Sequence, residues 1–180
     1  MPRNVHKHLI LAALATVLGL AACDSTSSSS ASPLVDFSTT PSGWTRKTNY
    51  PVAVGTTADV LLIAPASQNF SANALVMTTP TSGISLSTAA NSEIANTKAS
   101  STFSSVYVDS SKATFINGQS AWLIQIRYHY NTVKADLFVR EILFVYKSKD
   151  CQIVFTRLQS DSTSANAASL RALEGQIVLN

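Results

Sequence analysis

Cys23 has the most specific chemistry in this chain. It closes the tetrapeptide Leu20-Ala21-Ala22-Cys23, in which two small residues precede a thiol at a signal-peptidase cleavage position. The thiol is therefore expected to carry lipid and to become the new N-terminus. Upstream stand the basic residues Arg3 and Lys7, with His6 and His8, and then the apolar run Leu9–Leu18, the layout of an export signal. From Leu9 to Ala22 the apolar stretch is shorter than the roughly 20 residues a bilayer-spanning helix needs, which argues for a cleaved leader rather than a permanent span. Each buried methylene of an acyl chain, palmitate for example, contributes about 0.8 kcal/mol, so two or three chains on Cys23 would anchor the protein permanently.

A search for catalytic chemistry finds little. The sequence holds no Gly-x-Ser-x-Gly, no His-Glu-x-x-His, no glycine-rich phosphate loop and no cysteine pair for zinc, so no metal or cofactor is expected. Once the leader is removed His129 is the one remaining histidine, and Asp136 lies seven residues away across an expected hairpin, close enough to pair. A hydrolase would have to be built around His129, and no convergent nucleophile accompanies it; the chain is read as a non-enzyme. With Cys23 acylated, Cys151 has no intramolecular disulfide partner, and its place at the start of Cys151-Gln152-Ile153-Val154-Phe155 fits a buried, inert thiol. Two groupings could bind rather than react. Arg127, His129, Lys134, Arg140 and Lys147 could form a weakly basic patch, and Tyr107, Trp122, Tyr128, Tyr130 and Tyr146 could line a ligand groove or pack in the core. From these the expected partner or ligand surface is Arg127, Tyr128, His129, Tyr130 and Arg140.

Charge narrows the partner classes. Only 13% of residues are charged, against a usual figure of about 25%. Of 13 basic and 10 acidic side chains, Arg3 and Lys7 leave with the leader, so the mature balance is +1. Nucleic acid is not an expected partner. The expected partners are the membrane, through lipid on Cys23, and an envelope protein close to it.

The elements that must position these residues follow from pattern. Residues 24–32 are serine-rich and too polar to bury, a flexible tether; with the residues leading into the fold, about 15–20 residues of such chain would have an r.m.s. reach of roughly 20–25 Å. The chain thus divides into a signal peptide (1–22), a lipidated cysteine and tether (23–33) and one folded domain (34–180). Val60–Ala64 and Ala74–Thr78 are short apolar runs bounded by Pro65 and Pro80, as strands are. Ser87–Ser100 predicts an amphipathic helix with Ala90, Ile94, Ala95 and Lys98 at helical spacing. Phe103–Leu158 is strand-rich, with Asn117-Gly118 as a tight hairpin between Lys112–Ile116 and Ala121–Ile126. Trp122, Ile124, Ile126, Tyr128 and Tyr130 alternate with Leu123, Gln125, Arg127, His129 and Asn131, which predicts one apolar, aromatic face. Val133–Tyr146 is apolar on both parities and predicts a strand covered on both sides. Thr163–Val178 predicts a closing helix with Leu170, Leu173 and Ile177 on one stripe and Ser162 or Ser164 as N-cap.

This order, with Pro41-Ser42-Gly43-Trp44 at the start, the Ile116-Asn117-Gly118-Gln119-Ser120-Ala121 hairpin before the long strands and the closing Leu173–Leu179 segment, resembles the PsbP/Mog1/DcrB-like fold family. The resemblance implies an α+β domain, an α/β/α sandwich with a mainly antiparallel central sheet and helices packed on it. It also implies a binding or assembly role, as a bacterial envelope lipoprotein facing the periplasm or cell exterior. Asp24, directly after the cysteine, resembles the signal that retains enteric lipoproteins in the inner membrane. The alternative function is a carrier of a small apolar ligand, and a weaker one is a hydrolase using His129.

Overall fold

The computed structural model describes residues 32–53, 55–66 and 70–180. The signal peptide, Cys23, Asp24 and the tether up to residue 31 lie outside the described residues, as do residues 67–69 of the Pro65–Ser71 loop.

Among the described residues the order is β1 (Val35–Phe37), β2 (Thr45–Ala53), β3 (Thr56–Ile63), β4 (Asn73–Pro80), α1 (Leu86–Ala99) and β5 (Phe103–Ile116). Then follow β6 (Gln119–Tyr130), β7 (Ala135–Tyr146), β8 (Lys149–Leu158), α2 (Ala165–Glu174) and β9 (Ile177–Leu179). Strands β2 to β8 form one sheet in the order β2-β3-β4-β8-β7-β6-β5, every neighbouring pair antiparallel, while β1 and β9 pair as a separate ribbon. The hydrophobic residues divide into two cores, one on each side of the sheet. On one side Val35, Phe37, Leu170, Leu173 and Ile177 from the ribbon and α2 cover Leu62, Val76, Leu123, Phe144 and Phe155. On the other, α1 lies over β5, β6 and β7, above Ile124, Ile126, Tyr128, Leu137 and Val139. The result is a three-layer α/β/α sandwich.

Local chemistry sets the ends of these elements. Ser85 Oγ accepts from the Thr88 amide (3.2 Å) and starts α1, and Ser164 Oγ accepts from the Ala167 amide (3.1 Å) and starts α2. The Asn117-Gly118 turn has φ of 47° and 79°, the two positive angles that let a two-residue loop follow the strand twist. The β7–β8 turn needs the same geometry and obtains it from Lys147 (φ 46°) and Ser148 (φ 58°), residues with no conformational preference for it. Asp36 fixes β1 to β2 through a two-pronged pair with Arg46 Nη2 (2.5 and 2.6 Å).

Three expectations change in the structure. The buried stripe of α1 is Ala90, Glu93 and Thr97, whereas Ala95 and Lys98 are exposed and Ile94 is half-buried; the helix is rolled so that Glu93, not Ile94, faces the sheet. The closing helix stops at Glu174. Gly175 caps it by donating to Ala172 O (3.1 Å), and Ile177 belongs to β9, where it pairs with Phe37. β7 is covered on both sides over Glu141–Phe144, but Val145 is exposed because it lies beyond the helical cover.

The two hairpin turns yield a paired expectation. No atom lies within 4 Å of a Cβ built on Gly118, so Gly118→Ala should cost about 1 kcal/mol through backbone conformation alone. Ser148→Gly should gain roughly 0.5–1 kcal/mol by removing the same strain. Urea unfolding of both variants checks this, and a Ser148→Gly protein less stable than the parent would refute it.

Candidate functional site

The meander β5–β8 brings four expected or unexpected side chains into a single transverse row. Tyr107 is the cross-strand partner of Arg127, Arg127 of Phe138, and Phe138 of Arg157. Directly opposed residues of an antiparallel pair share a face, so Tyr-Arg-Phe-Arg runs across four strands on the side that carries α2. The Arg127 guanidinium sits 5.8 Å from the Tyr107 ring centre and the Arg157 guanidinium 4.5 Å from that of Phe138, both within cation–π range. Tyr107 is 62% exposed, and Phe138 and Arg157 are half-buried.

β5 makes the row possible by carrying two register shifts, between Ser104 and Tyr107 and between Val108 and Ser110. The second shift frees Asp109 from pairing and turns it toward Arg127, whose Nε and Nη2 donate to Oδ2 and Oδ1 at 2.8 and 2.7 Å. Arg127 is thereby neutralised. Arg157 is held differently: its Nη1 donates to the carbonyls of Leu158 (2.9 Å) and Gln159 (3.4 Å), and burial together with the like charge of Arg171 lowers its pKa. Asp161 offsets part of this, and the two arginines outnumber it at this corner.

Of the five surface residues expected from the sequence, Arg127, His129 and Arg140 share this face. Tyr128 and Tyr130 do not: they alternate to the opposite side of β6 and are buried against Phe103, with ring centres at 4.5 and 5.7 Å. Of the two readings of the aromatic residues, core packing holds for Tyr128, Tyr130 and Trp122, and no shared groove forms, since Tyr146 packs against the other core and Tyr107 stands in solvent. The basic patch is likewise dispersed into ion pairs, Arg127 with Asp109 and Arg140 Nε with Glu174 Oε1 at 2.7 Å.

His129 pairs with Asp136, Nδ1 to Oδ1 at 2.8 Å, as the spacing allowed. Ser104 stands opposite His129 in register, completing a Ser-His-Asp row. The Ser104 hydroxyl, however, donates to Asn131 Oδ1 (2.8 Å) instead of to the imidazole, and Asp136 is two-thirds exposed. The geometry holds an imidazole in place but prepares no nucleophile.

On the opposite side of the sheet, beneath the first half of α1, lies a cleft of about 410 Å³. Asp59, Glu93 and Asp150 line it, with Met77, Leu86 and Leu143. Asp150 is engaged at the rim, accepting from the Thr81 and Ser82 hydroxyls at 2.9 and 2.8 Å. Behind the cleft Glu93 and Glu141 form a buried carboxyl pair. Burial raises both pKa values; Gln152 Nε2 donates to Glu141 Oε1 (2.5 Å) and favours its charged form, and that charge raises Glu93 further. Glu93 is therefore the member that keeps its proton. Desolvation also raises Asp59 and, beside it, pushes the Cys151 thiol up to about 11, so Cys151, 2% exposed, is an unreactive core residue. Neither Glu93, Glu141 nor Asp59 was singled out in the sequence. The available signal was Glu141 alone among Leu137, Val139 and Leu143 on one strand parity.

No protein-family model matches the chain, and neither does any curated protein. Solved structures do. The cyanobacterial PsbP (CyanoP) of Synechocystis sp. PCC 6803 matches with a TM-score of 0.59 and 12% identity, over 82% of this chain and 87% of that one. LpqN of Mycobacterium tuberculosis, involved in cell envelope biogenesis, matches with a TM-score of 0.59 and 16% identity, over 80% and 82%. A Pseudomonas aeruginosa protein of unknown function matches with a TM-score of 0.52 and 15% identity, over 63% and 78%. The chain has a PsbP-like fold. No helix among the described residues is long and apolar enough to cross a membrane.

The buried carboxyl pair makes stability depend on pH with a defined sign. Folding raises both pKa values above the ordinary 4.5, so above that pH the folded state binds more protons than the unfolded chain, and stability falls as pH rises. Between about pH 5 and about pH 8 the parent should lose roughly 1–3 kcal/mol, and Glu93→Gln less than half of that. Denaturant midpoints across this range test the assignment; parallel profiles for the two proteins would overturn it.

Proposed function

We propose that this protein is a lipid-anchored component of a bacterial cell envelope that docks on a partner protein close to the membrane and serves binding or assembly rather than catalysis. Cys23 would supply the anchor, and Asp24 favours the inner membrane. The observation that carries the docking role is the open Tyr107–Arg127–Phe138–Arg157 row, because aromatic residues and arginine dominate the energetic centres of protein interfaces. The row offers two aromatic rings and the positive corner at Arg157 and Arg171. A matching partner would present an apolar side chain flanked by a carboxylate. The fold shared with an envelope-biogenesis protein supports the setting. The carrier reading draws its support from the cleft under α1, whose lining is as acidic as it is apolar, and the hydrolase reading from the His129–Asp136 pair alone.

In-cell crosslinking of the anchored protein, with Cys23→Ser as the unanchored control, tests this reading. The anchored form should capture a recurrent protein, and Tyr107→Ala or Arg157→Ala should each weaken that capture by about 30-fold, as expected for an interface centre worth about 2 kcal/mol. Capture of the same protein undiminished in both variants would remove this face as the docking surface.

A further inference from the structure

The cleft under α1 lies on the side of the sheet opposite the docking row and has the features of a receptor in its own right. Three carboxyl residues line it, Asp59, Glu93 and Asp150, and among its described lining residues there is no lysine, arginine or histidine. Glu93 is only 6% exposed, yet its Oε2 has no hydrogen-bond partner; Asp59 is half-buried and hydrogen-bonded to Thr78, and its buried Oδ2 alone is left without a donor. A buried acceptor without a donor costs about 1–3 kcal/mol, more if it is charged, and folded proteins rarely leave one so. Opposite these acceptors Met77, Leu86 and Leu143 supply apolar surface.

We infer that this cleft binds a small organic cation, a primary ammonium on a short apolar stem, with the ammonium on Glu93 and Asp59 and the stem along Met77, Leu86 and Leu143. Each alternative leaves something unmet. A neutral apolar ligand provides no donor for the two orphan oxygens, an anion meets only like charge, and no group of three or more metal-binding side chains occurs among the described residues. Glu93 by itself holds a proton, and an ammonium arriving beside it favours the ionised carboxylate; its three donors and positive charge then meet acceptor-only partners, where charge-assisted hydrogen bonds are strongest. The inference does not rest on the docking role, and either can fail without the other.

The test uses the full chain carrying Cys23→Ser and two probes of equal length, hexylammonium and 1-hexanol, followed by amide NMR at about pH 7.5. Hexylammonium should shift resonances of residues 57–59 and 86–93 saturably, and 1-hexanol should bind at least about tenfold more weakly. Glu93→Gln should weaken hexylammonium binding by about tenfold, and Asp59→Asn provides the same readout should the first variant fail to fold. Equal affinity for the two probes, no saturable shift with either, or undiminished hexylammonium binding in the folded variants would overturn the inference.

Discussion

Cross-strand register in the β5–β8 meander is the constraint on which every other feature depends. Because side chains alternate with a period of two, Ile126 and Tyr128 reach the α1 core only if Gln125, Arg127 and His129 face the other way. A slip of one residue between β6 and β7 would expose Tyr128 and drive Arg127 into apolar surroundings. The same register that buries the aromatic face lines up Tyr107, Arg127, Phe138 and Arg157, so the open row is a by-product of core packing on the reverse side. The bulges of β5 then adapt this edge strand, twisting it and releasing Asp109 to neutralise Arg127.

The cleft arises from the weakness of α1's inner face. A helix that turns Ala90, Glu93 and Thr97 toward the sheet buries little apolar area, so it cannot close against β3 and β4 as a leucine-lined helix would. Room remains beneath its first half. Placing Glu93 and Glu141 there is costly for the fold, since each charged carboxylate would lose its hydration. The arrangement tolerates this by protonation of Glu93 and by the amide of Gln152 on Glu141. α2, by contrast, turns Ala167, Leu170 and Leu173 inward and packs an apolar face on its side of the sheet.

Much of this fold was legible in the sequence because strands with alternating parity and one Asn-Gly turn announce themselves locally. The β5–β6 hairpin, the buried face of β6 and the His129–Asp136 pair follow from short-range pattern, whereas the sandwich came only with the resemblance to a known fold family. What escaped depends on contacts distant in sequence. β9 is a strand only because Ile177 meets Phe37 across nearly the whole chain, and no local signal separates it from the end of a helix. Tyr128 and Tyr130 were placed with Arg127 and His129 as one surface, although strand alternation puts neighbours on opposite faces. The roll of α1 was obscured because Ile94 is the more apolar choice, whereas the helix turns Glu93 inward beside Glu141 of β7 at a cost that no local pattern announces.

The position of the chain's entry into the domain gives the molecule two unlike ends. Asn180 Nδ2 donates to Pro33 O (2.8 Å), Lys147 Nζ to Asn180 O (2.6 Å) and Asn117 Nδ2 to Ile177 O (2.7 Å), so the segment leading into β1 leaves beside the β5–β6 and β7–β8 turns. That end carries the 76% exposed Phe115 together with Lys147 and Lys149. The cleft, with Asp150 and Gln152 in its wall, lies toward this same end. The open row lies eight residues along β6 from the β5–β6 turn, roughly 26 Å away at strand spacing. The cleft and the row are thus spaced along the strands, toward opposite ends of the sheet.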